Sequence, residues 1–308
     1  MMNIQCLSMG ILISASCQVS AQQVHQSTDW STARLGPTIN TEYAERYSMI
    51  SPDGLILYFA SDRPDGLGEF DDEGRKPWDI YVAWRESIEE PFGAAVTLGP
   101  TINSPYRDHS TAFSEDGHWM YFASDRPSGC GGYDLFVSYR EDVKDHFGWE
   151  LPEHLGCTVN TPGDEVCPYF TVDERSGKLL LYFVRNETAG VRSADIYVSE
   201  VDETTRELGR PTPMIELNSS AHDAHFEPTH GFIMSTREGG YGGLDLWRTN
   251  LLPGADEWSQ PTNLGPSINT EHEEGLPSST TNQQLFFPSN RPGGYGSFDI
   301  YVANPAGH

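Results

Sequence analysis

Lysine is scarce in this chain of 308 residues, with three lysines among the 19 basic residues that face 45 aspartates and glutamates. The resulting formal net charge of −26 excludes the basic surface that a nucleic-acid-binding protein needs. Long apolar runs are also missing, so no window approaches the roughly 20 apolar residues of a membrane-spanning helix. No segment sustains a helical apolar period. Short strands joined by turns remain, consistent with 30 glycines and 21 prolines.

The first residues resemble a targeting segment more than part of a fold. Residues 1–21 carry no charged side chain, residues 7–15 are mostly apolar, and small residues at 19–21 suit signal peptidase. We therefore predict a signal peptide over 1–21, a single domain over 22–308, and a periplasmic or secreted protein. The alternative is a lipoprotein anchored through Cys17, which follows three small residues.

Cysteine is sparse as well, and its count is odd outside the predicted signal peptide. Cys6 and Cys17 would leave with that segment, so Cys130, Cys157 and Cys167 remain. An exported protein can form one disulfide from these three thiols. Cys157–Cys167 is the local candidate and Cys130–Cys157 is the alternative. None of the cysteines has the spacing of a metal site.

Internal repetition dominates the rest of the chain and decides the fold class. A Leu-Gly-Pro-x-Ile-Asn signature, or a variant of it, recurs at Leu35, Leu98, Leu155, Ile215 and Leu264. An Asp-aliphatic-aromatic signature recurs at Asp79, Asp134, Asp195, Asp245 and Asp299. Ser-Pro-Asp-Gly turns and Ser-Asp-Arg-Pro segments, some of them degenerate, lie between the two. The chain therefore contains five copies of one unit.

Each copy predicts four short strands, which in the first copy fall at 47–50, 55–60, 79–84 and 95–98. The Asp-Gly pair before the second strand is a hairpin signal. Four-stranded units that repeat around an axis form a β-propeller. We therefore predict an all-β, five-bladed β-propeller with four-stranded blades. A lone strand at 30–35 is predicted to complete the last blade and close the ring.

The repeat resembles a known family. Ser-Pro-Asp-Gly at 51–54, Leu-Tyr-Phe-Ala-Ser-Asp-Arg-Pro at 57–64 and Asp-Ile-Tyr-Val at 79–82 are similar to the WD-like propeller repeat of the TolB type. The resemblance covers residues 30–303. It implies a propeller exported by a bacterium, a fold that hosts many activities.

One carboxylate recurs in every copy, at the fifth residue after the repeat asparagine. These five residues, which we call the ring acids, are Glu45, Asp108, Glu165, Asp223 and Glu274. They begin the innermost strand, on the face where the chain enters each blade, which we call the upper face. A ring of acid there would bind a cation, a basic peptide or a sugar. Alternatively, each acid accepts backbone N–H groups or pairs with an arginine.

Arginines also recur, and their spacing predicts ion pairs within the blades. Four of them end the second strand: Arg63, Arg126, Arg237 and Arg291. We expect bidentate pairs with the aspartates that begin the third strand. The third copy has Glu187 at this position, so we expect it to lose the pair.

Histidines break the repeat and are therefore candidate ligand-binding residues. They are His109, His222, His225 and His272, all close to ring acids. Imidazole and carboxylate together suit acid–base chemistry or a transition metal. No zinc spacing is present, so we predict no metal and no cofactor. An acidic insert at 65–73 leaves calcium or another divalent cation as an alternative.

These features predict an exported, monomeric binding or scaffold module that holds a protein, peptide or glycan on its upper face, with no nucleic-acid partner. Its negative field would attract basic partners. The alternative is a carbohydrate-active enzyme, a glycoside hydrolase or polysaccharide lyase. Asp223 and Glu274 would be its first-choice carboxyl pair. In a lyase, His225 or His272 would be the base.

Overall fold

A computed structural model describes residues 30–71, 74–127, 129–173, 175–188, 194–219, 222–254 and 257–305. The predicted signal peptide, with Cys6 and Cys17, lies outside these ranges. Within them the regular secondary structure consists of β-strands. No helix in the described ranges has the length and apolar character needed to span a bilayer.

The strands form five separate four-stranded antiparallel sheets, which confirms the predicted five-bladed β-propeller. Blade 1 comprises β2 (Glu45–Ile50), β3 (Ile56–Ser61), β4 (Asp79–Trp84) and β5 (Val96–Thr97). Blade 2 comprises β6 (Asp108–Phe113), β7 (Trp119–Ser124), β8 (Asp134–Tyr139) and β9 (Glu153–His154). Blade 3 comprises β10 (Asp164–Val172), β11 (Leu179–Asn186), β12 (Ala194–Val201) and β13 (Thr212–Pro213). Blade 4 comprises β14 (Asp223–Glu227), β15 (Phe232–Ser235), β16 (Asp245–Arg248) and β17 (Thr262–Asn263). Blade 5 comprises β18 (Ser278–Ser279), β19 (Leu285–Ser289), β20 (Asp299–Pro305) and the N-terminal β1 (Trp30–Arg34).

The second strand of each blade is buried on both faces because blades stack against their neighbours. Five of the six residues of β3 are buried, and Leu57 and Phe59 are at most 1% exposed. Apolar side chains on both sides of a strand favour a core layer between packed sheets. The hairpin that precedes β3 turns at Gly54, whose φ of 76° favours glycine.

The ring closes as the sequence predicts. Strand β1 pairs with β20 in antiparallel register, from Trp30 opposite Pro305 to Arg34 opposite Tyr301. Asn40 strengthens this closure with two buried hydrogen bonds: its Nδ2 donates to Ile300 O at 3.0 Å, and Ile300 N donates to its Oδ1 at 2.7 Å. Strand β20 therefore has no open edge along this length.

The innermost strands of blades 1, 2 and 3 are irregular near the upper face. Their registers shift within β2, β6 and β10. At these bulges Tyr47, Ser110 and Cys167 adopt positive φ values of 55°, 56° and 54°. Such backbone is unfavourable for residues other than glycine and is concentrated at functional sites. The bulges change the direction in which neighbouring side chains point beside the central channel.

One disulfide joins Cys130 to Cys157, and Cys167 is a free, buried thiol. The locally favoured Cys157–Cys167 pairing is therefore wrong, and the alternative pairing is the one formed. Cys167 lies within β10, beside the channel, while the other two cysteines lie in loops. Burial raises the pKa of the Cys167 thiol to about 12, so it is protonated at neutral pH.

Candidate functional site

The ring acids are buried, with no solvent-exposed surface at any of the five positions. Each accepts hydrogen bonds from the backbone N–H and the hydroxyl of the residue four positions earlier. At Glu45 these donors are Thr41 N and Thr41 Oγ1, at 2.9 and 2.6 Å. The same pair of bonds recurs from Ser104, Thr161, Ser219 and Thr270. The ring acids therefore hold the loop that precedes each blade in place through these hydrogen bonds.

An arginine in the second strand of the blade, or two residues beyond its end, approaches each ring acid. The nitrogen–oxygen distances are 3.1 Å for Arg63–Glu45, 2.6 Å for Arg126–Asp108, 2.9 Å for Arg185–Glu165, 2.8 Å for Arg237–Asp223 and 3.1 Å for Arg291–Glu274. The expected pairing with the third-strand aspartates is therefore wrong. Blade 3 also has an arginine on its ring acid, because Arg185, two residues before Glu187, pairs with Glu165.

The third-strand aspartates bind backbone instead. Asp134 Oδ2 accepts a hydrogen bond from Cys130 N at 2.8 Å. Equivalent bonds reach Asp79 from Leu67 N, Asp245 from Tyr241 N and Asp299 from Tyr295 N. A Cβ atom at Gly129 would lie 1.5 Å from Asp134 Oδ2, so glycine is required where the loop folds over this carboxylate.

Burial raises the pKa of four ring acids, namely Glu45, Asp108, Glu165 and Glu274. Hydrogen bonds from Thr41 and the charge of Arg63 oppose this rise at Glu45. These groups have their hydrogen-bonding capacity taken up inside the protein, and they present no oxygen to a ligand. Asp223 and Glu274, the first-choice catalytic pair, share this arrangement.

A cavity of about 310 Å³ opens at the upper end of the central channel. We call it the upper cavity. Its lining includes Arg46, Tyr47, His109, Tyr133, Asp164, Asn186 and His222. Cavities of this size hold small ligands when a few polar groups converge on apolar and aromatic walls. The upper cavity therefore has the composition of a ligand site.

The polar lining comes from the residues that flank the ring acids. Successive residues of a strand point to opposite sides, so a buried ring acid leaves its neighbours facing the channel. The preceding residues differ in every blade: Ala44, Arg107, Asp164, His222 and Glu273. Asp164 and His222 line the cavity, and Glu273 Oε2 lies 3.8 Å from Nη2 of Arg46, which also lines it. Two carboxylates from blades 3 and 5 thus lie at or beside the cavity.

Aromatic rings form one wall of the upper cavity. Tyr47 stacks on His109 with ring centroids 4.3 Å apart and an interplanar angle of 12°. Tyr133 also contacts His109, with ring centroids 4.7 Å apart and an interplanar angle of 55°. His109 Nδ1 is 2.7 Å from Ser110 Oγ. Burial, together with the charges of Arg46 and Arg107, lowers the pKa of His109 to about 3, so its ring is neutral.

The four candidate histidines do not form one cluster. His109 and His222 line the upper cavity, whereas His225 and His272 are not part of its lining. Burial lowers the pKa of His225 to about 4, and the carbonyls of Pro277 and Cys167 oppose the shift. His272 Nε2 lies 3.8 Å from the exposed Glu271 carboxylate.

Metal ligands converge at one place among the described residues, where ligand atoms of Cys130, Asp134 and His154 lie within 4.8 Å of one another. Cys130 is bonded to Cys157, so it has no thiolate to offer. In the described part of the acidic insert, Asp71 pairs with Arg75 at 3.0 Å and Asp65 accepts a hydrogen bond from the Tyr81 hydroxyl. Residues 72 and 73 of the insert lie outside the described ranges.

Solved structures share this fold. An α-L-arabinofuranosidase from Podospora anserina, solved with cellotriose, is 11% identical over 91% of this chain and 98% of that one, with a TM-score of 0.51. A thermostable family-43 glycoside hydrolase is 10% identical, covering 88% and 91% of the two chains, with a TM-score of 0.55. An α-L-arabinofuranosidase from Lactobacillus brevis is 13% identical, covering 88% and 92%, with a TM-score of 0.52. No protein-family model and no curated protein sequence matches this chain.

These findings correct two expectations from the sequence. The three similar structures described above are glycoside hydrolases and not TolB-type proteins, so the assignment to TolB-type repeats is wrong. The expected role as a binding or scaffold module is contradicted by the same comparison, because these neighbours are named as glycoside hydrolases. Identities of 10–13% show a common fold alone.

Sequence reasoning missed Arg46, Asp164, Asn186 and Glu273. The signal was present, because Asp164 and Glu273 stand immediately before ring acids, where other copies have alanine, arginine or histidine. The acids that recur in all blades bind loop and arginine, while two of the variable residues beside them, Asp164 and His222, line the upper cavity.

Proposed function

We propose that the protein is a carbohydrate-active enzyme, a glycoside hydrolase that binds its glycan in the upper cavity. The observation that carries the proposal is the position of Asp164, a carboxylate that lines a cavity walled by Tyr47, His109 and Tyr133. Aromatic faces pack against the C–H face of a sugar ring, and planar polar groups bind its hydroxyls. Asn186 and His222 supply such groups.

Glycoside hydrolysis requires two carboxyl groups that flank the scissile bond. We assign this role to Asp164 and Glu273. Tyr133 N donates a hydrogen bond to Asp164 Oδ1 at 3.1 Å and holds that carboxylate at the cavity wall. Arg46 contacts Glu273 at 3.8 Å and orients it from the cavity rim. One carboxyl group protonates the leaving oxygen. The other carboxylate brings a water oxygen to the anomeric carbon in its place, either by activating the water or by first forming a glycosyl ester that water hydrolyses.

Arabinan, arabinoxylan, xylan and β-1,3-galactan are the polymers to test, because the solved structures of this fold act on or bind related sugars. The assay follows release of reducing sugar. We expect turnover on at least one polymer, and Asp164→Asn and Glu273→Gln should each reduce kcat by about 100-fold or more.

Glu271→Gln is the matched control, because the side chain of Glu271 is 85% exposed and lies two residues from Glu273. This variant should keep kcat within about twofold. Circular dichroism and a thermal melt should show that all three variants are folded. Hydrolysis that survives both Asp164→Asn and Glu273→Gln would refute the assignment, and the absence of turnover on all four polymers would refute the proposed activity.

A further inference from the structure

A second cavity, of about 430 Å³, opens on the face opposite the upper cavity. We call it the lower cleft. It lies where the hairpins of blades 2, 3 and 4 meet the outer strands of blade 4. Its lining includes Glu115, Asp173, Arg175, Arg248, Asn250 and Trp258. Nothing in the proposed hydrolysis uses these residues.

Blades 1 and 2 show how this part of a blade is filled elsewhere. In blade 2 the Arg140 guanidinium lies 4.4 Å from the centre of the Trp149 ring, and its Nε donates to Gly117 O at 2.9 Å. In blade 1 Arg85 covers Phe92 at the same 4.4 Å distance. An arginine thus covers an aromatic ring and ties it to the hairpin.

Blade 4 keeps the aromatic ring and lacks the arginine. The bridge between Arg140 and Trp149 is matched in blade 4 by a bridge between Leu251 and Trp258. Leucine cannot donate a hydrogen bond to the hairpin or place a cation over the indole. Trp258 is therefore left partly exposed, and both it and Leu251 line the lower cleft.

The floor of the lower cleft is a rigid aromatic cluster. Trp258 contacts Phe226 edge-on, with centroids 5.0 Å apart and an angle of 88°. Tyr182 contacts the same ring at 5.3 Å and 79°. Because Phe226 is 1% exposed, the cluster is anchored in the core. It offers a ligand a fixed apolar platform.

The polar lining is balanced in charge, with Glu115 and Asp173 against Arg175 and Arg248. Arg248 Nε is buried, and no acceptor among the described residues bonds to it. Asn250 is exposed, with both a donor and an acceptor in its side chain. A net-neutral set of donors and acceptors beside an aromatic platform matches an uncharged, hydroxyl-rich ligand with one apolar face. A pyranose or furanose ring has this chemistry.

We infer that the lower cleft is a second saccharide-binding site, which holds a neutral stretch of the polymer on the face away from the upper cavity. Trp258 stacks on a sugar ring, and Arg248 and Asn250 bind its hydroxyls. The inference rests on the proposed function for its choice of polymer. Two sites on opposite faces raise the effective concentration of the chain near the upper cavity.

Affinity electrophoresis in gels containing arabinan, arabinoxylan, xylan or β-1,3-galactan tests this site. All proteins carry Asp164→Asn, so that the polymer is not cut. We expect at least one polymer to retard the parent protein. Leu251→Arg restores the arginine that covers the ring in blades 1 and 2, and it should weaken binding by about 10-fold or more. Trp258→Ala should have a similar effect.

Leu151→Arg is the matched control, because Leu151 is 77% exposed and does not line the lower cleft. It adds the same charge and should leave retardation unchanged. Leu251→Arg removes no packing ring, so it keeps the test valid if Trp258→Ala unfolds. Unaltered retardation in folded Leu251→Arg would overturn the inference, as would a parent protein that no polymer retards. Turnover of the polymers by the wild type is measured separately, so the hydrolase proposal and the second site can fail independently.

Discussion

Arg63 and Glu45 form a buried ion pair, with Nη2 3.1 Å from Oε1, at the point where the chain enters blade 1. The guanidinium also donates to Ile39 O in the entering loop. One arginine thus joins a strand, a ring acid and a loop. The same triple contact recurs in the other blades, through Ile102, Val159, Leu217 and Ile268.

Removing the arginine should destabilise the protein strongly. Arg63→Met leaves Glu45 buried without its cation, and we expect a loss of about 3–5 kcal/mol in the free energy of unfolding. Urea denaturation at pH 7 measures this loss. The loss should shrink at pH 5, because protonation of Glu45 removes the uncompensated charge. Lys178→Met, which breaks an ion pair with both side chains more than half exposed, should cost at most about 1 kcal/mol.

Asp79 should give the protein a distinctive pH dependence. Burial raises the pKa of Asp79 to about 7, helped by the charges of Asp108 and Asp65 and opposed by Leu67 N and Lys76. Between about pH 4 and 7 the folded state therefore holds a proton that the unfolded state has lost. The free energy of unfolding should fall as pH rises through this window, and then stay level.

Asp79→Asn should remove that fall, and the difference between variant and wild type should grow from pH 4 to 7. Lys76→Met should extend the fall to higher pH, because it removes a cation that lowers the pKa of Asp79. Denaturation midpoints across pH 4 to 9 give both profiles. Parallel profiles for wild type and Asp79→Asn would show that Asp79 does not titrate in this window.

His109 and His225 should stay neutral throughout the physiological range. Their pKa values are lowered to about 3 and about 4, mainly by burial. Ring nitrogen NMR shifts should be constant from pH 8 to 5 in the folded protein and should titrate near the ordinary 6.5 in urea. These histidines destabilise the folded state as pH falls below about 6.5. A folded-state transition near pH 6.5 at either residue would contradict the buried environment.

The disulfide should contribute measurably to the free energy of unfolding. Cys130 and Cys157 are separated by 27 residues. Removing a cross-link that closes a loop of this size lowers the free energy of unfolding by about 3 kcal/mol. A reductant, or the Cys130→Ser/Cys157→Ser double variant, should lower the melting temperature. Cys167→Ala should keep the response to reductant. In the native protein, the Cys167 thiol should react with a thiol reagent only on unfolding, because it is buried.

Asn40 should control the closure of the ring. Asn40→Ala and Asn103→Ala each remove two buried backbone contacts of the same kind, to Ile300 and Ile80. Each should lose about 2–4 kcal/mol, because a buried N–H and a carbonyl are left without partners. Hydrogen exchange over β1 should accelerate in Asn40→Ala alone. Equal protection of β1 in both variants would show that Asn40 does not control the closure of the ring.

The number of blades and the closing strand could be predicted because the sequence repeats turns and strand starts at regular intervals. The partner of Arg63 could not be predicted in the same way. Ser61, two residues before it, lies opposite Glu45 in one neighbouring strand and Asp79 in the other. The loop over Asp79 decides the matter, because Leu67 N already donates to that carboxylate. Sequence spacing does not reveal where a loop folds back.

The location of the candidate site was predictable, whereas of its lining residues only His109 and His222 were predicted. The ring acids indicate the upper end of the channel, and the upper cavity lies there. The ring acids recur in all five blades because each one joins a loop to a strand. Residues that bind a ligand are therefore expected at positions that differ between the blades. Asp164 and Glu273 occupy such positions, and their orientation depends on the alternation of side chains along the innermost strands.

The pairing of β1 with β20 also bears on how the molecule is made. Asn40 and Ile300 are 260 positions apart, so the last blade cannot be completed until the chain has been synthesised beyond Ile300. Contacts between such distant segments form slowly, since the intervening chain must first be ordered. Until then the hydrogen-bonding edge of β1 is unpaired. During this time the new chain is most prone to aggregate, because an unpaired strand edge can pair with a strand of another molecule.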